Sequence, residues 1–184
     1  SVEHMGILAV GIGLGGGPAA FGALLHALNH SLAKGLLFFA AGAVFLLYHT
    51  KAVAGVSGLA RRAPLVGILF MAGFLAITGT PPFGPFISEL TILLAALAGG
   101  HYWAAGLFLF LLAVVFAAMG AAFLGMVFGE PPELPPSELH GWKAALVLAP
   151  TLILAAASLT LGFYIPGKLN SLLKAAALLL GVQE

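Results

Sequence analysis

Long stretches without a formal charge constrain this chain more than any other feature of its sequence. No Asp, Glu, Lys or Arg occurs in residues 4–33, 63–88, 90–129 or 144–167. Each stretch exceeds the about 20 apolar residues that a helix needs to cross a bilayer. Charged residues make up 7% of the chain, against about 25% in a soluble domain. The composition therefore indicates a membrane protein and excludes a soluble enzyme, a nucleic-acid-binding protein and a disordered segment.

The apolar stretches divide into six predicted membrane spans. They cover residues 6–14, 18–48, 64–77, 85–98, 102–128 and 142–165. A transmembrane barrel would instead show alternating segments of about ten residues, so we predict an all-α membrane protein. We expect a transmembrane bundle over residues 1–165 and an interfacial or flexible tail over 166–184. Since the chain begins with a serine and shows no signal peptide, we also expect it to be part of a longer protein.

The segment between the third and fourth spans is rich in residues that break helices. Residues 78–85 contain three prolines and two glycines, which excludes the interior of a helix. The segment is either a tight loop or a non-helical break at membrane depth. A break at that depth is tolerated only where protein or water covers the backbone.

Glu89 follows this segment and is the one formal charge in residues 63–129. Transporters place ion sites at helix discontinuities, so Glu89 is a candidate proton site. Nearby hydroxyl groups that could assist it belong to Thr78, Thr80 and Ser88. The alternative is that Glu89 lies in a loop and extends to the lipid headgroups.

A second candidate site is a polar stripe within the second span. His26, His30 and Lys34 are spaced four residues apart, so they lie on one helix face, with Asn29 beside them. A charge at the bilayer centre costs about 2.5–3.5 kcal/mol on insertion scales, so Lys34 should face protein or water. An imidazole can accept a proton on one nitrogen and release one from the other. We therefore predict a water-bridged proton path through His26, His30, Lys34 and Glu89, the alternative being polar residues that only hold helices together.

The other histidines are expected to have a simpler role. His4, His49, His101 and His140 fall near the predicted span ends. We expect them to anchor the helices at the membrane interface, as the tryptophans at the starts of spans do. The lysines and arginines of the connector over residues 48–62 and of the tail suggest that these two segments face the cytoplasm.

Three segments together resemble a known family. They are residues 1–6 (Ser-Val-Glu-His-Met-Gly), His26-x3-His30-x3-Lys34, and the run from Gly79 to Glu89 that contains Pro81, Pro82, Phe83 and Phe86. These motifs resemble the antiporter-like subunits of respiratory complex I, and most of all their relatives in energy-converting, hydrogenase-4-like hydrogenases and formate hydrogenlyases. Multisubunit sodium/proton antiporters have a similar fold.

This resemblance implies an architecture and roles for the candidate residues. The family fold has about fourteen helices with two inverted five-helix repeats, each with one broken helix. The chain resembles the second half of that fold, with about six transmembrane helices and the first repeat absent. By this match, Lys34 and the histidines resemble the central hydrophilic axis, and Glu89 resembles the proton site after the second broken helix.

The resulting functional prediction is a proton-translocating, non-catalytic subunit of a redox-driven complex in the inner membrane of a prokaryote. Its expected partners are other membrane subunits, the lipid bilayer and protons, with no nucleic acid. We expect no cofactor and no metal in the chain, which lacks the cysteines that hold iron–sulfur clusters.

Three alternatives remain open from the sequence. The first is a sodium/proton antiporter subunit of the same fold. The second is a membrane-embedded metal-binding enzyme that uses His26 and His30, whose spacing suits zinc, although Lys34 would repel the cation. The third is a structural anchor in which the charges are only tolerated.

Overall fold

A computed structural model describes residues 1–131 and 141–181. Over these residues the chain forms eight α-helices, a short 3-10 turn and no strands. The helices are α1 (Val2–Gly13), α2 (Gly17–Tyr48), α3 (Leu59–Arg62), α4 (Pro64–Ile77), α5 (Gly84–Ala98), α6 (Tyr102–Phe128), α7 (Gly141–Phe163) and α8 (Gly167–Gly181). The predicted anchor His140 and the last three residues of the predicted tail lie outside the described residues.

The predicted spans correspond to six of these helices, and the predicted all-α membrane fold is confirmed. Three helices are long and apolar enough to cross a membrane: α2, α6 and the part of α7 from Ala144 to Phe163. Three shorter apolar helices, α1, α4 and α5, match the remaining predicted spans. The largest difference in bounds is at α1, which begins at Val2, four residues before the predicted start.

Prolines and glycines set several of the helix ends. Pro18, Pro64 and Pro85 each lie in the first turn of a helix, where their missing N–H group would have no partner inside the helix. The helix α2 ends at Tyr48, and the next residue, His49, has a left-handed backbone conformation with φ of 52°. Pro18 and His49 therefore mark the two ends of α2.

The helix α2 lies at the centre of the bundle and contacts α1, α4, α5, α7 and α8. Small residues allow this close packing. A Cβ atom at Gly22 would lie 2.8 Å from the Cγ1 atom of Ile92 on α5, and one at Gly73 would lie 2.7 Å from the Cδ2 atom of Leu37. Glycine at these positions therefore sets the distance of α4 and α5 from α2.

The helix α6 is at the edge of the described bundle. Its buried residues are Ala105, Gly120 and Val127, and the rest of its surface is largely apolar and accessible. A helix that is apolar on every side suits a lipid environment. The tail helix α8 packs on α2, and its placement at the membrane interface stays a prediction.

Candidate functional site

The non-helical segment between α4 and α5 packs against the middle of α2. The Nδ2 atom of Asn29 donates a hydrogen bond of 2.7 Å to the carbonyl oxygen of Gly84. Asn29 lies about 18 Å along α2 from its first residue, from the rise of 1.5 Å per residue. The segment is therefore level with the interior of the longest helix, which favours the predicted break at membrane depth over a surface loop.

Several backbone polar groups at the start of this segment are paired within the chain. The carbonyl oxygens at the end of α4 belong to Phe74, Leu75 and Ala76, and they accept hydrogen bonds from the N–H groups of Thr78, Thr80 and Gly79, respectively. The hydroxyl of Thr78 also donates to the Phe74 carbonyl at 2.8 Å. Irregular backbone away from water requires such internal partners.

Two buried histidines and a serine form a hydrogen-bonded chain between α1, α2 and α5. His4 Nδ1 lies 3.0 Å from His26 Nε2, and His26 Nδ1 lies 3.0 Å from Ser88 Oγ. The Ser88 hydroxyl donates to the carbonyl oxygen of Pro85 at 2.8 Å. Because this hydroxyl has a single hydrogen, it accepts the bond from His26, so the His26 proton is assigned to Nδ1. It follows that His4 donates from Nδ1 to His26 Nε2.

Glu89 is buried beside these histidines. One carboxylate oxygen of Glu89, one nitrogen of His4 and one nitrogen of His26 all lie within 4.8 Å of one another. Among the described residues, the Oε1 atom of Glu89 has no hydrogen-bond partner. The acid, the imidazoles and the helix break therefore share one buried region.

Because Gly79 has no side chain, the Glu89 carboxylate can lie against the backbone of the break. Gly79 has a φ of +61°, and a Cβ atom there would lie 1.8 Å from Glu89 Oε2. Glu89 also lines a cavity of about 340 Å³ between the break, α5 and α6. Thr78 and Thr80 line the same cavity, with their hydroxyl oxygens 3.2 Å apart.

The polar stripe on α2 continues from this region to Lys34. The ring centroids of His26 and His30 are 6.3 Å apart, and the His30 ring centroid is 4.3 Å from that of His4. The Lys34 amine donates a hydrogen bond to the hydroxyl of Ser1 and lies 5.7 Å from the ring centroid of Phe38. Lys34 thus lies at the opposite end of the stripe from Glu89, beside the start of α1.

The structure brings most of the candidate residues together. His26, Asn29, Ser88 and Glu89 meet where α2 and α5 pack, and Thr78 and Thr80 border the cavity beside Glu89. Lys34 is two helical turns from His26, next to His30. These positions leave the roles of the residues as predictions.

The prediction that His4 anchors α1 at the membrane interface is wrong. His4 is 3% exposed and is part of the hydrogen-bonded chain described above. Its register could have revealed this, because His4, Ile7 and Gly11 are spaced as one helix face and are the buried residues of α1. The same reasoning missed Glu3, whose carboxyl group interacts electrostatically with that of Glu89. His49 and His101 are exposed, and their anchoring role stays a prediction.

These features define a class of membrane protein: a helical bundle with a discontinuous helix and a buried acid next to the discontinuity. The family described as NADH:quinone oxidoreductase/Mrp antiporter, transmembrane, matches residues 1–117. The chain belongs to this family. The resemblance inferred from the three sequence motifs is thereby confirmed, and the chain is an antiporter-like membrane protein of the type found in complex I, hydrogenase-4 and Mrp assemblies.

Individual relatives agree with this assignment. The chain is 42% identical over 134 residues to a hydrogenase-4 component F homolog of Methylacidiphilum infernorum, covering 71% of this chain and 27% of that protein. It is 37% identical over 102 residues to NADH-quinone oxidoreductase subunit N of Desulforudis audaxviator, covering 55% of this chain and 20% of that protein. The chain thus spans about a quarter or less of these curated relatives.

A solved structure has the same fold. A chain of the Mrp complex from Dietzia sp. DQ12-45-1b superposes with a TM-score of 0.82 and 26% identity, over 98% of this chain and 41% of that chain. The similarity covers nearly every described element.

Proposed function

We propose that this chain is the proton-conducting part of a membrane subunit in a redox-driven complex, located in the inner membrane of a prokaryote. One observation supports the proposal: a polar seam, buried at Glu89, His4, His26 and His30, leads to the half-buried Lys34. The relatives named as hydrogenase-4 and NADH-quinone oxidoreductase components support a redox-driven complex of several membrane subunits. The lipid-compatible surface of α6 supports an integral position in the bilayer.

The hydrogen-bond assignments suggest how a proton moves along the seam. His4 Nδ1 donates to His26 Nε2, so when His4 carries a proton on both ring nitrogens, transfer along this 3.0 Å bond protonates His26 and leaves His4 neutral. His26 then carries protons on both nitrogens and becomes neutral again by releasing the proton on Nε2, since its Nδ1 proton stays in the hydrogen bond to Ser88, whose own proton is held by the Pro85 carbonyl. The proton reaches or leaves this pair through Glu89, whose carboxylate lies beside both rings.

Water completes the path at two places. Among the described residues, His30 Nδ1 and Glu89 Oε1 are buried without hydrogen-bond partners. Buried polar atoms of this kind are usually paired with ordered water. The cavity beside Glu89 has room for several water molecules. Water at His30 bridges the step from the histidines to Lys34, which lies one helical turn further along α2.

The chain contributes no redox chemistry to this scheme, because it has no cysteine for iron–sulfur binding. Electron transfer in partner subunits instead changes the protonation of Lys34 and Glu89 through electrostatic interaction. The protein then acts as the ion-translocating component and leaves the oxidoreductase reaction to its partners.

The test is proton transport by Glu89→Gln and Lys34→Met in vesicles that contain the full protein and the subunits that copurify with it. Both substitutions keep approximate size and remove the titrating group. We expect each to lower the transport rate at least about tenfold, which corresponds to about 1.4 kcal/mol in the barrier. Matched controls are Glu130→Gln and Lys51→Met, which change exposed side chains and should leave transport unchanged. Normal transport by the first two variants, with normal assembly, contradicts the proposal.

A second candidate function is sodium/proton exchange, and the match to a family whose description includes the Mrp antiporter favours an exchange of ions. The same seam would then exchange protons against sodium across the membrane. Sodium-dependent proton flux at alkaline pH, lost in Glu89→Gln, would support this function over redox-driven pumping. Equal flux with sodium and with a large organic cation would exclude it.

A further inference from the structure

We propose that His4, His26 and Glu89 form a binding site for a divalent transition-metal ion of the Zn²⁺ type. The three side chains come from α1, α2 and α5, and all three are buried. Each offers one ligand atom, and these atoms lie within 4.8 Å of one another. Imidazole nitrogen and carboxylate oxygen are common zinc ligands, and three protein ligands leave a fourth position open.

The distances are close to those that a bound ion requires. Ligand atoms around a tetrahedral zinc ion lie about 3.3 Å apart, given bond lengths of about 2.0–2.1 Å. His4 Nδ1 and His26 Nε2 are already 3.0 Å apart. The carboxylate of Glu89 has to approach by at most about 1.5 Å, which rotation of its flexible side chain supplies.

The surroundings of the site prepare its ligands. His26 donates its Nδ1 proton to Ser88, which leaves the Nε2 lone pair available for a metal ion. Zinc-bound histidines commonly donate their other ring N–H to a neighbouring acceptor in this way. The Oε1 atom of Glu89 is buried without a hydrogen-bond partner among the described residues. An ion at this position is held by the Glu89 carboxylate and requires the His4 proton to lie on Nε2 instead of Nδ1.

The charges also favour a cation here. The Glu89 carboxylate supplies one negative charge at the site, and Glu3 on α1 lies close enough for its carboxyl group to interact with that of Glu89. Lys34, which opposes a metal at the His26 and His30 pair, lies about 12 Å along α2 from His26, from eight residues at 1.5 Å each. In the structure, the potential metal ligands beside His26 are therefore His4 and Glu89, whereas the sequence alternative paired His26 with His30.

The proposal does not depend on proton transport, so binding is measured directly. The full protein in detergent is titrated with Co²⁺, whose visible absorption reports a tetrahedral nitrogen and oxygen environment, and then with Zn²⁺ in competition with a chelating dye. We expect one saturable site per chain, loss of the Co²⁺ spectrum when Zn²⁺ is added, and a higher unfolding temperature with Zn²⁺.

Substitutions of the proposed ligands and of other histidines test whether these three residues form the site. His4→Gln and Glu89→Gln should weaken Zn²⁺ binding at least tenfold and abolish the rise in unfolding temperature. His49→Gln and His101→Gln change exposed histidines, and His30→Gln changes the neighbouring buried one. All three should bind Zn²⁺ as the unchanged protein does. If His4→Gln unfolds, the Co²⁺ spectrum of Glu89→Asp, which keeps the carboxylate, must show an altered but present site.

Two results overturn the proposal. One is the absence of a saturable tetrahedral Co²⁺ spectrum in the folded, unchanged protein. The other is Zn²⁺ binding that is the same in the ligand variants and in the controls, or that is lost in His30→Gln alone. Since no step of this experiment measures transport, failure of the proton pathway would leave the metal result unaffected.

Discussion

Replacing Gly79 by alanine separates the role of the helix break in positioning Glu89 from its role in stability. Gly79 has a φ of +61°, a backbone conformation that destabilises an L-residue with a side chain by about 1–2 kcal/mol. The new Cβ atom would lie 1.8 Å from Glu89 Oε2, whereas ordinary contacts begin at 3.4 Å. The carboxylate must therefore withdraw by about 1.6 Å or rotate away from the histidines.

Gly100→Ala is the matched control. Gly100 has a φ of +75°, and nothing lies within 4 Å of a Cβ atom added there. The alanine variant therefore has the same backbone strain as Gly79→Ala but does not contact Glu89. Because the Glu89 carboxylate is the end of a flexible side chain, moving it adds little to the loss of stability. We expect both variants to lose about 1–2 kcal/mol of unfolding free energy.

Transport then distinguishes the two variants. Proton uptake into vesicles, followed with a pH-sensitive dye, should be nearly normal for Gly100→Ala once the amount of folded protein is matched. For Gly79→Ala it should fall at least about tenfold, because a misplacement of about 1 Å can cost a factor of about 100 in a positioned reaction. Equal transport by the two variants would refute the reasoning that the break sets the position of Glu89.

Four further substitutions test the packing and the charges of the bundle. Gly22→Ala should destabilise the protein by about 1–3 kcal/mol through overpacking against Ile92, whereas Gly42→Ala, with nothing within 4 Å on the same helix, should be neutral or stabilising in thermal unfolding. Ser158→Ala should leave the unfolding temperature unchanged or raise it, since the buried Ser158 hydroxyl has no hydrogen-bond partner among the described residues, and a clear decrease would contradict this. Glu3→Gln should change the pH dependence of transport, because it removes a carboxylate that interacts with Glu89, and an unchanged pH profile would exclude that interaction.

The fold was largely predictable because hydropathy and helix breakers act locally. Uncharged stretches fixed the number of spans, and the prolines at positions 18, 64 and 85 fixed where three helices begin. The pattern His26, His30, Lys34 predicted one helix face, since this spacing depends only on helical geometry. For the same reason, the break before Glu89 was visible in the sequence.

The contact of α1 with this site was not predictable in the same way. It depends on packing between helices distant in sequence, where Gly11 allows α1 to approach Ala23 and Ile92. The spacing of His4, Ile7 and Gly11 marks one face of α1, but it does not tell which helices cover that face. The separation of Lys34 from Glu89, at opposite ends of the seam, also follows from the way α5 packs on α2.

The most direct test of the central claim is the protonation of Glu89 during transport. Infrared difference spectroscopy of the full protein in lipid, with an imposed proton gradient switched on and off, detects the C=O stretch of protonated carboxyl groups. The proposed path predicts a carboxyl band that changes with transport and disappears in Glu89→Gln but persists in Glu130→Gln. Active transport with a carboxyl spectrum that Glu89→Gln leaves unaltered would contradict the account.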